Sequence, residues 1–309
     1  ALALLLLSAK YFTDAGESIG LSMKIPPFII GVTIIALGTS LPEIATSVLA
    51  VLDGHSEFVV GNVVGSNMAN ILLVMGITAI VGKHLVVDKN IIGIDLPILL
   101  GSAILLFMIT LDGKVTYVDG ALSLLVLLTY IIYNLKHERA VNPDEIKQQK
   151  SLSLKNKKHR GALLRNIGIL LVSGTTLYFS ADWTIDSVVQ LSQLFNVGTE
   201  IIAVSAIAIG TSLPELVVSV VAAKKGQADI AIGNVTGSNI FNALGVMGVP
   251  AMVGTLTIPA EMLSFGIPAL LFVTILYSFT TMDQEVSKWE GITLLLIYVG
   301  FMGKTFGVI

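Results

Sequence analysis

The sequence contains no cysteine, so disulfide bonds and thiolate chemistry are excluded. Charge is almost as scarce. Asp, Glu, Lys and Arg make up 13% of the chain, against about 25% in soluble domains. Four histidines are present, His55, His84, His137 and His159. All four fall in loops between apolar runs, so no buried histidine–metal centre is expected. What the chain has in abundance is apolar surface, with 54% hydrophobic residues. It therefore reads as an all-α integral membrane protein. The first residue is an alanine inside an apolar run, so the native N-terminus is expected upstream, and no cleavable signal peptide is read.

Apolar runs long enough to cross a bilayer as helices fall at 1–22, 27–52, 58–82, 90–111, 117–135, 162–194, 199–223, 229–253, 260–281 and 287–307. The polar stretch 136–161 is the one sizeable loop. It carries Lys136, Arg139, Lys147, Lys150, Lys155, Lys157, Lys158 and Arg160, which places it in the cytoplasm by the positive-inside rule. Both termini then lie outside.

The strongest internal signal is a repeat. Gly38-Thr39-Ser40-Leu41-Pro42-Glu43 recurs 172 residues later as Gly210-Thr211-Ser212-Leu213-Pro214-Glu215. At the same offset Gly61-Asn62-Val63-Val64-Gly65-Ser66-Asn67 matches Gly233-Asn234-Val235-Thr236-Gly237-Ser238-Asn239, and Asn70 matches Asn242. Near the ends the offset slips by one, pairing Asp119-Gly120 with Glu290-Gly291. The expected domains are a first repeat at 1–135, a linker at 136–161 and a second repeat at 162–309. Each repeat holds five spans, and an odd number makes the two run in opposite directions through the membrane. This is the inverted-repeat plan of many secondary transporters, which place their substrate site at the midplane between broken helices.

The first motif contains such a break point. A proline inside a helix removes one donor and clashes with the carbonyl four residues back. Helices 2 and 7 are therefore expected to be discontinuous, with carbonyl groups freed. Thr39 and Ser40 precede Glu43 by one helical turn and share its side. A carboxylate, hydroxyls and carbonyls are hard ligands, suited to Na⁺, Ca²⁺ or Mg²⁺. Glu43 and Glu215 are the leading candidates, because acids inside membrane helices mark ion pathways. Lys10 is the one basic residue read well inside a span, and a single lysine cannot pair with both acids.

Asn62, Ser66 and Asn70 are spaced four apart on one helix face, as are Asn234, Ser238 and Asn242. Ser66, Asn70, Ser238 and Asn242 are expected to complete an oxygen cage. For Asn62 and Asn234, ligation and helix packing stand even. The glycines of the same motif, Gly61 with Gly65 and Gly233 with Gly237, read as a close-packing face. Asn67 and Asn239 point elsewhere, to pack or cap. Asp14, Glu17, Asp182 and Asp186 line water-filled access paths or lie near the headgroups; the residues do not choose.

These paired motifs resemble the alpha-repeats of the calcium/cation antiporter superfamily, and within it the sodium/calcium exchangers in their prokaryotic form. The resemblance spans essentially the whole chain. It implies ten helices with a site between helices 2, 3, 7 and 8, across which helices 1 and 6 move. Carried over by position, it makes Glu43 and Glu215 the central ligands. Thr39, Ser40, Thr211 and Ser212 add hydroxyl or carbonyl oxygens, and Ala36 and Ala208 add backbone carbonyls. Some relatives, the potassium-dependent branch among them, have aspartate where this chain has Asn242, which argues against potassium dependence here.

The function expected is antiport of Na⁺ and Ca²⁺, both as transported substrates, by a monomer that needs no cofactor and binds no nucleic acid. A proton/calcium antiporter is the alternative, since the same glutamates can be neutralised by H⁺. A cation channel suits two inverted halves around one site less well. An intramembrane hydrolase would need paired aspartates, a Ser-His or Ser-Lys dyad, or buried histidines, and none is present.

Overall fold

The computed structural model describes residues 2–22, 25, 27–82, 84–86, 91–136, 159–194 and 212–305. In chain order the helices are α1 (Leu2–Ser22), α2 (27–52), α3 (Glu57–Gly82), α4 (91–110), α5 (Tyr117–Lys136), α6 (His159–Leu194), α7 (Leu213–Lys224), α8 (228–253), α9 (Met262–Met282) and α10 (Lys288–Thr305). Six stretches within them are long and apolar enough to cross a membrane by length and composition. The sequence-derived spans agree with these bounds to within a few residues, because apolar run length is set by bilayer thickness. The expected span 199–223 is described only from Ser212 onward.

Burial ranks the helices. In α3, 78% of the most apolar window is buried, against 17% for Leu163–Ser180 of α6. The helices α2, α3, α7 and α8 thus form the centre, while α6 sits at the edge and packs chiefly on α1.

Among the described residues five π-helical turns occur within or at the start of the helices, at Gly31–Ile35, Ala69–Val74, Ile91–Asp95, Asn242–Val246 and Met262–Gly266. Such turns widen the hydrogen-bond register by one residue and concentrate at functional sites. Two pairs of them occupy repeat-related positions: 69–74 with 242–246, and 91–95 with 262–266. The break expected at Pro42 takes a milder form. The helix runs from Ala36 to Leu52 with Pro42 inside it, and the irregularity lies upstream, in the π-turn at Gly31–Ile35. A proline in a membrane helix is tolerated where neighbours re-satisfy the groups it frees. In the second copy the helix starts at Leu213, with Pro214 in its first turn and Ser212 as a non-helical cap. There the proline's missing N–H removes no intrahelical bond.

Contacts between the halves come in reciprocal pairs. Strand β1 (His84–Val86) pairs antiparallel with β4 (Glu285–Ser287), and β2 (Lys114–Val115) pairs with β3 (Leu256–Thr257). At the repeat offset these two ribbons are the same contact made twice. Helix α10 packs on the end of α3, and α5 packs on the end of α8. At the first crossing a methyl on Gly76 would lie 2.9 Å from Gly291 O, and at the second one on Gly120 would lie 2.9 Å from Gly248 O. The helix starts match too. Asp119 accepts from the Thr116 backbone N at 2.8 Å, and Glu290 accepts from the Ser287 backbone N at 2.7 Å, the capping-box arrangement in both halves.

Candidate functional site

Close crossing of α2 over α8 starts the site. A methyl on Gly237 would lie 2.5 Å from Val32 O and 2.7 Å from the Ala36 side chain, and one on Gly233 would lie 2.6 Å from Phe28 O. Only glycine allows the backbones this near, as the packing-face reading of α8 expects. A methyl on Gly61 or Gly65 would meet nothing within 4 Å among the described residues. Their repeat-related partners near 200–208 lie outside the described residues.

The crossing carries polar groups of both halves into one buried zone. Thr39 Oγ1 is 3.4 Å from Ser238 Oγ and donates to Asn234 Oδ1 at 3.3 Å. Ser212 Oγ donates to Ser66 O at 3.4 Å. The π-turn that begins at Asn242 packs on the Ala36–Leu52 part of α2, and the π-turn holding Asn70 packs on α7. Glu43 and Glu215 are electrostatic neighbours, and the Thr39 and Ser40 hydroxyls lie close to the Glu215 carboxylate. Thr39, Ser40, Glu43, Ser66, Asn70, Ser212, Glu215, Ser238 and Asn242 are all buried.

Among the described residues, most of the buried side-chain polar atoms without a geometric hydrogen bond belong to this set. They include all four carboxylate oxygens of Glu43 and Glu215, Ser40 Oγ, and both amide atoms of Asn70 and Asn242. A buried polar atom left unsatisfied costs about 1–3 kcal/mol, and more when charged. Native folds leave few of them without a reason. Among the described residues no lysine or arginine is ion-paired to either glutamate, and Lys10 is exposed. No cluster of three or more His, Cys, Asp or Glu side chains occurs among the described residues. The two carboxylates are thus electrostatic neighbours in a buried zone whose other polar side chains, on α2, α3, α7 and α8, are neutral. This donor set matches a hard cation.

Asn62 and Asn234 are spent on structure. Asn62 Nδ2 donates to Ser47 Oγ at 3.1 Å and its Oδ1 accepts from Ser66. Asn234 Nδ2 donates to Ser219 Oγ at 2.9 Å and to Glu215 O at 3.3 Å, while its Oδ1 accepts from Thr39. Asn67 Nδ2 donates to Asn239 O at 3.2 Å, tying α3 to α8. Ala36 is buried, and its carbonyl accepts from Thr39 at 3.2 Å. Ala208 and Thr211 lie outside the described residues.

Two of the acids left open resolve onto a turn. Asp14 pairs with Lys225, and Glu17 accepts from Gln227 at 2.6 Å, so both tie α1 to the α7–α8 connection. The side chains of Asp182 and Asp186 are outside the described residues. Sequence reasoning missed Ser47 and Ser219, both buried; they share the 172-residue offset and follow the glutamates by four, which was the available signal. It also missed Asp95, a buried acid in the π-turn of α4 that accepts from Tyr130 Oη at 2.9 Å. Of the histidines read as loop residues, His84 lies in β1 and His159 opens α6.

Comparison with known proteins follows the same residues. The family model described as "Sodium/calcium exchanger protein" matches residues 1–136 and 165–306. The sodium/calcium exchanger MaX1 of Methanosarcina acetivorans is 28% identical, covering 97% of this chain and 95% of that protein. The inner membrane protein YrbG of Escherichia coli is 29% identical, covering 96% and 90%. A solved structure of the sodium-calcium exchanger NCX_Mj superposes with a TM-score of 0.82 at 27% identity, covering 98% of this chain and 96% of that one. A multi-pass helical membrane fold, motif pairs in both halves and a family match along nearly the whole length lead to one conclusion: this chain belongs to the sodium/calcium exchanger protein family.

Proposed function

We propose that the chain exchanges Na⁺ for Ca²⁺ across the cell membrane by alternating access. Its family is one of transporters, not enzymes, and supports antiport of Ca²⁺ against another cation. The observation that carries the finer reading is the Glu43–Glu215 pair, buried, electrostatically adjacent, and without an ion-pair partner among the described residues. In our reading Glu43 and Glu215 supply the charge of a midplane site. Thr39, Ser40, Thr211, Ser212, Ser66, Asn70, Ser238 and Asn242 supply neutral oxygens, and Ala36 and Ala208 supply backbone carbonyls.

The architecture we propose is ten spans in two inverted five-helix repeats, 1–135 and 162–309, joined by the linker 136–161. The reciprocal strand pairs and glycine crossings support a two-fold relation between the halves. The basic residues of the linker support its cytoplasmic placement, with both termini outside.

The mechanism follows from charge. Two buried carboxylates side by side repel each other and are poorly solvated. One Ca²⁺, or at least two Na⁺, cancels their charge, and only then does sealing the site from water cost little. An empty carrier therefore stays open to one side, and a filled one switches. Because Na⁺ and Ca²⁺ compete for the same oxygens, the traffic is exchange. If more Na⁺ moves than balances Ca²⁺, the membrane potential adds about 2.3 kcal/mol per charge per 100 mV.

The test is radiolabelled Ca²⁺ uptake by purified protein in sealed vesicles. A Na⁺ gradient from inside to outside is expected to drive uptake, and a pH gradient alone is not. Uptake driven by pH alone would establish the proton/calcium alternative, and uptake needing neither gradient would indicate a channel.

A further inference from the structure

Helices α1 and α6 enclose a groove of about 580 Å³ on their outer side, within the usual range for small-molecule sites. Leu4 and Tyr11 line it from α1, and Arg165, Gly168, Ser173 and Thr176 line it from α6. Its wall is largely apolar, because apart from the Tyr11 phenol the hydroxyls there are already used. Ser173 donates to Ile169 O at 2.6 Å and Thr176 to Val172 O at 2.7 Å. The one charged side chain in its lining is Arg165, which is exposed and has no ion-pair partner among the described residues.

Placement along the membrane is informative. Arg165 sits two residues inside the apolar window Leu163–Ser180, at the end next to the basic linker. A guanidinium at that depth reaches the headgroups by extending its aliphatic stem. From Arg165 to Thr176 the helix rises about 16 Å at 1.5 Å per residue. That is about half the ~30 Å hydrocarbon thickness, the depth of one leaflet. A channel one leaflet deep, apolar along its length and cationic at its headgroup end, has the shape and charge pattern of a single anionic phospholipid.

We propose that this groove binds one anionic phospholipid, its phosphate on Arg165 and an acyl chain between α1 and α6. The assignment is independent of the transport reading. It is tested on the full chain in nanodiscs of equal phosphatidylglycerol and phosphatidylcholine, released into mild detergent and weighed by native mass spectrometry. The parent is expected to retain one phosphatidylglycerol per chain in preference to phosphatidylcholine. Arg165→Gln should lower that preference about five-fold, the effect of one cation near an anionic surface. Gly168→Phe should lose both lipids, since an added side chain there enters open space, with nothing within 4 Å of its Cβ. Lys304→Gln, an equal loss of charge on α10, should behave as the parent. A parent that retains no lipid, equal retention of the two lipids, an Arg165→Gln variant with unchanged preference, or a second copy of the chain on this face would each overturn the proposal. Arg165→Gln decides the matter alone if Gly168→Phe fails to fold.

Discussion

The side-chain amide of Asn234 donates to Ser219 Oγ at 2.9 Å. The same bond joins Asn62 to Ser47 at 3.1 Å in the other half. Each clamps the asparagine helix to the glutamate helix one turn beyond the carboxylate. Asn234 also accepts from Thr39, so it holds three helices in register. Asn234→Ala strands buried partners, and a loss of about 1–3 kcal/mol is expected. Because the two side chains act as one unit, Asn234→Ala and Ser219→Ala together should cost less than the sum of the single changes. Unfolding curves of the two single variants and the double variant in detergent check this; strict additivity would mean that the bond carries no coupling.

Removing one of the two carboxylates should separate transport from folding. Glu43→Gln and Glu215→Gln are each expected to abolish Na⁺-driven Ca²⁺ uptake. In buffer free of both ions each variant should melt at or above the parent temperature, because one buried, unpaired charge and its repulsion are gone. Ca²⁺ at 100 times its dissociation constant should stabilise the parent by about 2.7 kcal/mol and leave both variants nearly unaffected. Near-normal uptake in either variant would refute the assignment.

The sequence makes the spans and the motif pairs legible for physical reasons. Bilayer thickness dictates the length of apolar runs, and a repeat at fixed offset needs no structure to be seen. Glu43 and Glu215 are legible because a carboxylate in such a run has no other ready explanation. The π-turns at Ala69–Val74 and Asn242–Val246 are not legible. A shift from four-residue to five-residue bonding leaves no mark in residue type, and tertiary packing decides it. Asn62 and Asn234 stand even in the sequence because an amide serves equally to ligate and to clamp. Only the position of Ser47 and Ser219 separates the two uses. Pro42 signals a lost hydrogen bond correctly, but whether the helix parts or runs on depends on its neighbours.

Asn242 is where charge balance is open to change. Both its amide atoms are buried without partners among the described residues, in the π-turn that packs on the Glu43 helix. Asn242→Asp adds a third carboxylate, which one Ca²⁺ no longer neutralises. Initial exchange rates are expected to fall at low monovalent salt and to recover as K⁺ is raised, since an extra monovalent cation restores balance. The parent should show no such K⁺ requirement. Rates for Asn242→Asp that match the parent at every K⁺ concentration would show that this side chain lies outside the shared field of the two glutamates.

The α2–α8 crossing should be intolerant of a single methyl group. Gly237 approaches Val32 O so closely that an alanine Cβ would lie 2.5 Å away, against a backbone atom that cannot swing aside. Over-packing of this kind costs about 1–3 kcal/mol. It would also push Ser238 and Thr39 apart, since their hydroxyls meet across the same crossing. Gly237→Ala is therefore expected to lower the melting temperature and to weaken Ca²⁺ stabilisation together. Gly300→Ala in α10 meets nothing within 4 Å, and should be neutral or gain up to about 1 kcal/mol from helix propensity. Thermal melts of both variants with and without Ca²⁺ make the comparison. If Gly237→Ala matched Gly300→Ala in both readings, helix contact at this crossing would not set the geometry of the site.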